Sequence, residues 1–312
     1  MTRIICGVDV SSQKLDARIG REGRFASFEN NPEGVEALAG FCREHSVALV
    51  VMEATGGYEK QPFALLWGHS LEATIVNPRN VRDFAKAMGR LEKTDRIDAG
   101  MIAWFAETKN IKPTPPQSET QGHLAALVTR LSQLTALRTS QTNQKKLIKD
   151  PTVLKSFSEL LALIARQMRA LEREIVGLID SDPLWSELDK AFRSVKGVAD
   201  RTVARLMAQM PEIGLVSGKA VTKLVGLAPI AKDSGKSHGK RPVRGGRSGI
   251  RATLFVVAEI VSRYDRDFAA FRDRLAAAGK AKKVIRVALA HKLLVRLNAK
   301  AREVRAKFAL AA

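Results

Sequence analysis

The chain has 312 residues, of which 45% are hydrophobic, so it is long enough for two domains with cores of their own. Its two cysteines are too few for a disulfide framework and no apolar run reaches transmembrane length, so we expect a cytoplasmic protein without a membrane partner. Net charge is +20, and residues 191–312 alone contain 27 basic and 8 acidic residues. A neutral first part followed by a strongly basic one indicates a region that does chemistry and a region that binds a polyanion.

The first 76 residues predict an α/β domain. The predicted elements are strands at 4–10, 15–19 and 24–28, a helix at 33–45, a strand at 47–52, a helix at 58–69 and a strand at 73–76. The first strand is apolar on both faces, as in a central strand covered by helices. Three consecutive strands followed by alternating helices and strands are typical of a ribonuclease H-like fold with a mixed sheet.

Four carboxylates occupy positions suited to a cation site. Asp9 is near the end of the first strand and Glu53 follows the fourth, and functional groups in such sheets gather beyond strand ends. Asp95 and Asp98 share one face of a helix predicted over 95–107 and could complete the cluster. Clustered carboxylates bind hard divalent cations such as Mg²⁺, and two such ions can stabilise the attacking and leaving oxygens of a phosphoryl displacement.

These acids also have structural interpretations. Aspartates that follow a Thr94 N-cap suit the helix dipole, and from that stretch alone this is the stronger interpretation. Asp9 could be a solvent-facing turn residue, but both of its neighbours are valines, and an aspartate in an apolar strand is costly without a partner. For Glu53, the nearby glycine pair at 56–57 would allow close approach of a backbone and would equally form an ordinary turn.

The middle of the chain predicts long helices. A polar, proline-rich linker covers 109–121, and apolar residues then recur at helical spacing on both sides of Pro151. Those at 157–178 alternate steps of four and three, which is a heptad pattern. It predicts a coiled coil, formed either as an antiparallel hairpin within the chain or as a contact between two chains.

The basic end predicts a mainly helical domain that binds nucleic acid. Residues 194–204 look like a helix-hairpin-helix, with Ala199 where a second glycine is usual. Residues 232–251 hold seven basic residues, one acid and five glycines, which indicates a flexible loop along a phosphate backbone. On this pattern alone Ser234 is a phosphate contact rather than a nucleophile. The residues expected to contact nucleic acid are Arg79, Arg82, Lys86, Lys196, Gly197, Gly235, Lys236, Lys240, Arg241, Arg244, Arg247, Arg251, Lys282 and Lys283. Solvated basic faces are the ordinary alternative for the helical ones.

The motifs occur in an order that resembles one known family. They are GVDVSSQKLD at Asp9, EATGGYE at Glu53, Asn77-Pro78, KTDRIDA at Asp95 and Asp98, VKGVADRTVA, LVGLAP, the serine-glycine pair at 234–235 and FRDRLAAAGKAKKV. Together they are similar to the DEDD transposases of the insertion-sequence-110 family and to Piv-type invertases, along essentially the whole chain. The resemblance implies a RuvC-like catalytic domain at 1–115, a helical linker or coiled coil at 116–185 and a basic transposase domain at 186–312.

The resemblance also implies a chemistry. Mg²⁺ or Mn²⁺ would be bound by Asp9, Glu53, Asp95 and Asp98, and Ser234 would be raised from a phosphate contact to a nucleophile. The implied partners are donor and target DNA and a structured non-coding bridge RNA, in a bacterial, nucleoid-associated dimer or tetramer. The acids of one subunit would act with the serine of another. Ala199 and a shortened loop after Ser234 depart from the family pattern.

Three other functions stay open at this point. A RuvC-like structure-specific nuclease would use the acids to activate water, with Ser234 only binding phosphate. A sugar-kinase or actin-like ATPase shares the opening strand, but residues 1–115 show no convincing glycine loop for a nucleotide. A catalytically silent nucleic-acid scaffold would not need the neutral, acid-bearing first half.

Overall fold

A computed structural model describes residues 3–90, 95–231, 233–234, 237–239 and 241–311, with the backbone alone at 95–96, 237–238 and 311. The chain divides into two units, Met1–Gln117 and Ser118–Ala312. Within the described ranges, no helix is both long and apolar enough to cross a membrane.

The N-terminal unit is built on one mixed sheet. Its elements are β1 (Ile5–Val10), β2 (Lys14–Ile19), β3 (Phe25–Glu29), α1 (Pro32–Glu44), β4 (Leu49–Glu53), α2 (Lys60–Gly68), β5 (Ala73–Val76), α3 (Pro78–Ala87) and α4 (Asp95–Thr108). The strand order is β3-β2-β1-β4-β5, with β1, β4 and β5 parallel and β2 antiparallel to both of its neighbours. The predicted order of elements and the mixed sheet are confirmed. The fourth strand ends one residue later than predicted, at Glu53, so the Glu53 side chain lies on the strand itself.

The two faces of the sheet have separate cores. Val8 and Met52 pack with α1 and α2 on one face, whereas Val51 packs with α3 and α4 on the other. Alternate residues of a strand point to opposite faces, so apolar residues at successive positions of β1 and β4 are what a sheet covered on both sides requires. Cys6 and Cys42 are free thiols buried in the first core, and the hydrogen bond between them, together with burial, raises the pKa of Cys6. The Cys6 thiol is therefore not poised to react.

A glycine allows α4 to lie directly against β1. A Cβ atom at Gly7 would stand 2.1 Å from the carbonyl oxygen of Ala99 and 2.6 Å from the backbone nitrogen of Ala103. Any side chain at this position would push α4 off the sheet. Gly7 therefore fixes how closely α4, which carries Asp95 and Asp98, approaches β1, which carries Asp9.

The C-terminal unit is mainly helical. Its elements are α5 (Glu119–Lys145), α6 (Pro151–Ser181), α7 (Pro183–Arg193), α8 (Asp200–Gln209), α9 (Gly218–Val225), β6 (Asp233–Ser234), β7 (Ser237–His238), α10 (Ser248–Tyr264), α11 (Arg266–Ala277) and α12 (Lys282–Ala311). One hydrophobic core extends from Leu124 to Ala301, so the two long helices share their core with the basic region. The predicted domain boundary between 185 and 186 stays a prediction.

The two long helices, α5 and α6, run antiparallel within the chain. His123 lies 3.0 Å from Glu174 near one end of the pair, and Lys145 donates to Ser158 at 2.8 Å near the other. Ile164, Met168 and Ile175 of the predicted seam are buried, as a helix pair requires. The two helices therefore form an antiparallel hairpin within the chain, while the coiled coil and a contact between two chains stay predictions.

Candidate active site and nucleic-acid interface

Asp9 and Glu53 lie side by side at the carboxyl ends of two central strands. β1 pairs in parallel with β4 from Ile5 opposite Leu49 to Val8 opposite Met52, and one further step of this register sets Asp9 beside Glu53. Residues that share a register position point to the same face of a sheet, and adjacent strands are about 4.8 Å apart. Both carboxylates therefore project, half-buried, toward the face covered by α3 and α4.

The helix α4 brings its first turn toward the same end of β1. Ala99 and Ala103 contact Gly7, while Ala103 and Glu107 line a surface depression with residues at the start of β1, so the helix runs antiparallel to the strand. The first turn of α4 thus lies toward the end of the strand, where Asp9 is. Asp98 is half-buried on this turn. Asp95 begins the helix, and its side chain and Thr94 lie outside the described residues.

The chemistry of these donors suits a hard divalent cation, because carboxylate oxygens are the ligands such ions prefer. Within the described side chains, which do not include Asp95, no group of three or more aspartate, glutamate, histidine or cysteine residues is arranged to hold a metal ion. The structure therefore brings Asp9 and Glu53 together and orients α4 toward them.

A further acid on this face escaped the sequence analysis. Asp16 of β2 stands directly opposite Asp9 in the antiparallel pairing, so its side chain points to the same face, and it is only 9% exposed. The signal that could have found it is the short turn between the first two predicted strands, since counting residues back from that turn fixes which residue faces Asp9.

Ser234 lies on a short β-hairpin in the region that the sequence predicted as a flexible loop. The two-residue strands β6 and β7 pair with Asp233 opposite His238 and Ser234 opposite Ser237, and Ser234 is exposed. Arg241 donates a hydrogen bond of 2.9 Å to the carboxylate of Asp233. A backbone bridge between Pro229 and Val243 closes the base of the hairpin.

Two arginines fasten the base of this hairpin to the helices. Arg247 donates to both carboxylate oxygens of Glu212, at 2.7 and 2.5 Å, and to the carbonyl oxygen of Gln209 at 2.9 Å. Arg251 donates to the carbonyl oxygens of Val225 and Gly245 at 3.0 and 2.5 Å. Burial alone would raise the pKa of Glu212, but the hydrogen bonds and charge of Arg247 outweigh it and lower that pKa overall. No local pattern of residues indicates this bidentate pair, because its partners are 35 residues apart.

Glycine conformations allow the same region to pack closely. Gly226 ends α9 in the left-handed conformation (φ +75°), and a Cβ atom at Gly246 (φ +63°) would stand 2.5 Å from the nitrogen of Gly226. Only glycine fits this crossing without displacing backbone.

The other residues predicted to contact nucleic acid differ in their surroundings. Gly197 of the helix-hairpin-helix-like turn (φ +99°) packs against α10, where a Cβ atom would meet the nitrogen of Val261 at 3.1 Å. Gly235, Lys236 and Lys240 lie outside the described residues. The exposed members of the set are Arg79, Arg82, Lys86, Lys196, Arg241, Arg244, Lys282 and Lys283.

A mixed sheet with carboxylates at adjoining strand ends, in one chain with a strongly basic helical unit, is the combination expected of an enzyme that acts on nucleic-acid phosphodiesters. Residues 6–149 match the family model for the DEDD transposases of IS110, and residues 189–273 match the model for the IS116/IS110/IS902 transposase family. The chain belongs to the IS110 family of transposases, enzymes that cleave and transfer DNA strands. DEDD domains of this kind generally use divalent metal ions.

Curated relatives agree with this assignment. The chain is 27% identical over 313 residues to the pilin gene-inverting protein of Moraxella bovis and equally to that of Moraxella lacunata, covering 94% of this chain and 94% of each relative. It is 31% identical over 130 residues to an uncharacterized 43.6 kDa protein of insertion element IS110 from Streptomyces coelicolor, covering 41% of this chain and 31% of that protein.

Proposed function

We propose that this transposase cleaves and rejoins DNA strands through attack of Ser234 on a phosphodiester, assisted by Mg²⁺ or Mn²⁺ held by Asp9, Glu53, Asp95 and Asp98. The observation that carries the proposal is the register of β1 and β4, which sets two of these carboxylates side by side on the face covered by α4. When bound, the ion would supply positive charge to the phosphate oxygens of the reacting group. The Ser234 hydroxyl would need activation by the site, because a serine hydroxyl is a weak nucleophile on its own.

The proposed step balances without an external energy source. The hydroxyl oxygen of Ser234 forms a bond to phosphorus and gives up its proton, while the bond from phosphorus to the leaving strand breaks and that strand takes up a proton. A hydroxyl of the strand to be joined then attacks the phosphoserine, and the serine is released. Each step exchanges one phosphate ester for another, so the energy of the cleaved bond is kept for rejoining and no ATP is needed.

Rejoining separates this proposal from a nuclease that uses metal-activated water. The Moraxella relatives are named for inverting a gene, and inversion requires that cut strands be joined again, which favours the recombinase. Product analysis on labelled DNA tests the choice. Joined strands that disappear in Ser234→Ala but persist in Ser237→Ala, its partner across the hairpin, support the proposal. Free 5′-phosphate ends formed equally by all three proteins would establish the nuclease instead.

We further propose that a structured non-coding bridge RNA guides the reaction and that the acids of one subunit act with the serine of another in a homo-oligomer. The basic C-terminal unit and the exposed basic face of α3 (Arg79, Arg82, Lys86) would hold the nucleic acids. Sequencing the nucleic acid that copurifies with the protein tests the first part, since a single structured RNA is expected. Random cellular RNA would contradict it.

Mixing two inactive variants tests the second part. In a mixed oligomer, the Ser234→Ala subunit keeps intact acids and the Asp9→Asn subunit keeps an intact serine. If each active site takes its acids and its serine from different subunits, one intact site forms and strand joining returns. A mixture that stays inactive would place the acids and the serine of each reaction in the same subunit.

A further inference from the structure

A groove of about 630 Å³ lies between the base of the serine hairpin and the helices α11 and α12. Pro229 and Val243, which bridge the base of the hairpin, form one wall, and Phe271 and Val287 form the other. This volume is in the range of sites that hold a drug-sized ligand, roughly 300–1,000 Å³. The groove lies wholly within the C-terminal unit and has no part in the carboxylate site.

The lining combines an apolar floor with a cationic rim. Arg241, Arg274 and Lys292 stand around it, and no carboxylate is among its described lining residues. The ammonium of Lys292 is 4.9 Å and the guanidinium of Arg274 is 5.2 Å from the ring centre of Phe271, so both charges are held over an aromatic face. His291 also lines the groove, and burial lowers its pKa.

Arg241 connects the groove to the reactive strand. Its guanidinium lines the groove and also donates to the carboxylate of Asp233, the residue immediately before Ser234. A ligand in the groove would therefore be held next to the strand that carries the nucleophile. Its chemistry must match apolar surface at the floor and negative charge at the rim.

We propose that this groove binds one nucleotide of the DNA strand beside the cleaved phosphate, with its base unstacked onto the apolar floor and its own phosphate against the rim. This inference rests on the proposed function. A nucleotide has both required properties, since its base is flat and weakly polar on its faces and its phosphate is anionic. The planar guanidinium of Arg274 offers a base a stacking surface. A basic peptide, the other amphipathic occupant, would meet three cations and no acid in the described lining.

Such a pocket would serve strand cleavage directly. Phosphates are exposed in stacked DNA, but the regular backbone fixes the direction of their phosphorus–oxygen bonds. Unstacking one nucleotide distorts the adjoining backbone, so the neighbouring phosphate can be aligned with the attacking hydroxyl. The groove would hold the strand in that distorted state while Ser234 attacks. Recognition would depend little on sequence, because every base has an apolar face.

Photocrosslinking with single-stranded oligonucleotides that carry 5-iodouracil tests the groove in the full-length protein. Mass spectrometry of the digested protein should place the crosslink on the segment that contains Phe271 or the one that contains His291. Val284→Glu adds a carboxylate at a 54% exposed position in the lining, and Val284→Gln adds the same shape without charge. The crosslink should fall roughly tenfold in the glutamate variant and stay within about twofold of wild type in the glutamine variant.

A second pair of variants distinguishes the loss of a contact in the groove from the general loss of one positive charge. Arg274→Ala should weaken oligonucleotide binding roughly tenfold, whereas Arg266→Ala, which removes an exposed arginine of the same helix outside the groove, should have less than about a twofold effect. Equal losses in the two variants, or crosslinks confined to segments outside the groove, would overturn the inference. Joining of strands by the wild type without a groove crosslink would overturn this inference alone. Absence of Ser234-dependent joining would instead count against the proposed function.

Discussion

The N-terminal unit fixes Asp9 and Glu53 through backbone pairing in a sheet covered on both faces, whereas the C-terminal unit carries Ser234 on an exposed two-residue strand. The acids cannot move apart without breaking the register of two buried strands. The serine hairpin is held mainly at its base, by the Arg247–Glu212 pair and by Arg251. Positions that bind a cation benefit from rigidity, while a nucleophile that must meet its substrate benefits from a lightly held support.

The same contrast appears in charge. The N-terminal unit is close to neutral, whereas the net charge of the chain lies in the C-terminal unit.

The largest effect is expected from the acids of the sheet. Asp9→Asn and Glu53→Gln keep the shape of each side chain but remove its charge, so strand joining should fall at least about a hundredfold. DNA binding should be unchanged, because the basic unit is intact. Gel assays of joining and filter-binding assays measure the two. Glu36→Gln, an exposed acid of α1, is the matched control, and a comparable loss there would show that the charge of Asp9 and Glu53 has no special role.

A smaller effect is expected from the contact between β1 and α4. Gly7→Ala would place a Cβ atom 2.1 Å from the carbonyl of Ala99, so the helix must shift, at a cost of about 1–3 kcal/mol in the free energy of unfolding. Strand joining should fall with it, since the first turn of α4 moves relative to Asp9. Gly40→Ala in α1, where an added Cβ meets nothing within 4 Å, should be neutral or stabilising in denaturant titrations. Equal stability of wild type and Gly7→Ala would refute the close packing of α4.

The support of the serine hairpin predicts a change in rate rather than in stability. Glu212→Gln removes the charge that holds Arg247 in place, so joining should fall roughly tenfold while the melting temperature changes little, because this pair is only partly buried. Glu187→Gln, which breaks an exposed pair with Lys190, should change neither. Because the folded pKa of Glu212 is lowered, the stabilisation by the pair is present above the usual glutamate pKa and is lost as the pH falls through the folded value. Unchanged joining in Glu212→Gln would mean that this pair does not position the hairpin.

The fold and the candidate site residues of the N-terminal unit could be predicted from the sequence better than those of the C-terminal unit. The order of strands and helices, and Asp9 and Glu53 at strand ends, follow from hydrophobic periodicity and turn residues, which are local signals. Asp16 and Glu212 escaped because their significance depends on pairing across strands and on a contact between distant residues. The glycine-rich, basic stretch around Ser234 predicted a loop, and it forms a hairpin because Pro229 and Val243 bring its ends together.

The smallest effect concerns His291 in the groove. Burial lowers its pKa, so the unfolded chain binds a proton more readily than the folded one, and stability should decrease as the pH falls below the usual histidine pKa, about 6.5. The cations that line the same groove, Arg241, Arg274 and Lys292, add no attraction for a charged imidazole. His291→Gln should flatten this part of the profile of melting temperature against pH. An unchanged slope would assign the pH dependence to other groups.

Mass spectrometry of the protein trapped during reaction with DNA tests the central claim most directly. We predict a nucleotide covalently attached to Ser234 in the wild type, and no attachment in Ser234→Ala or, because the acids assist the attack, in Asp9→Asn. Attachment to a different residue, or wild-type amounts of adduct in Asp9→Asn, would contradict the account.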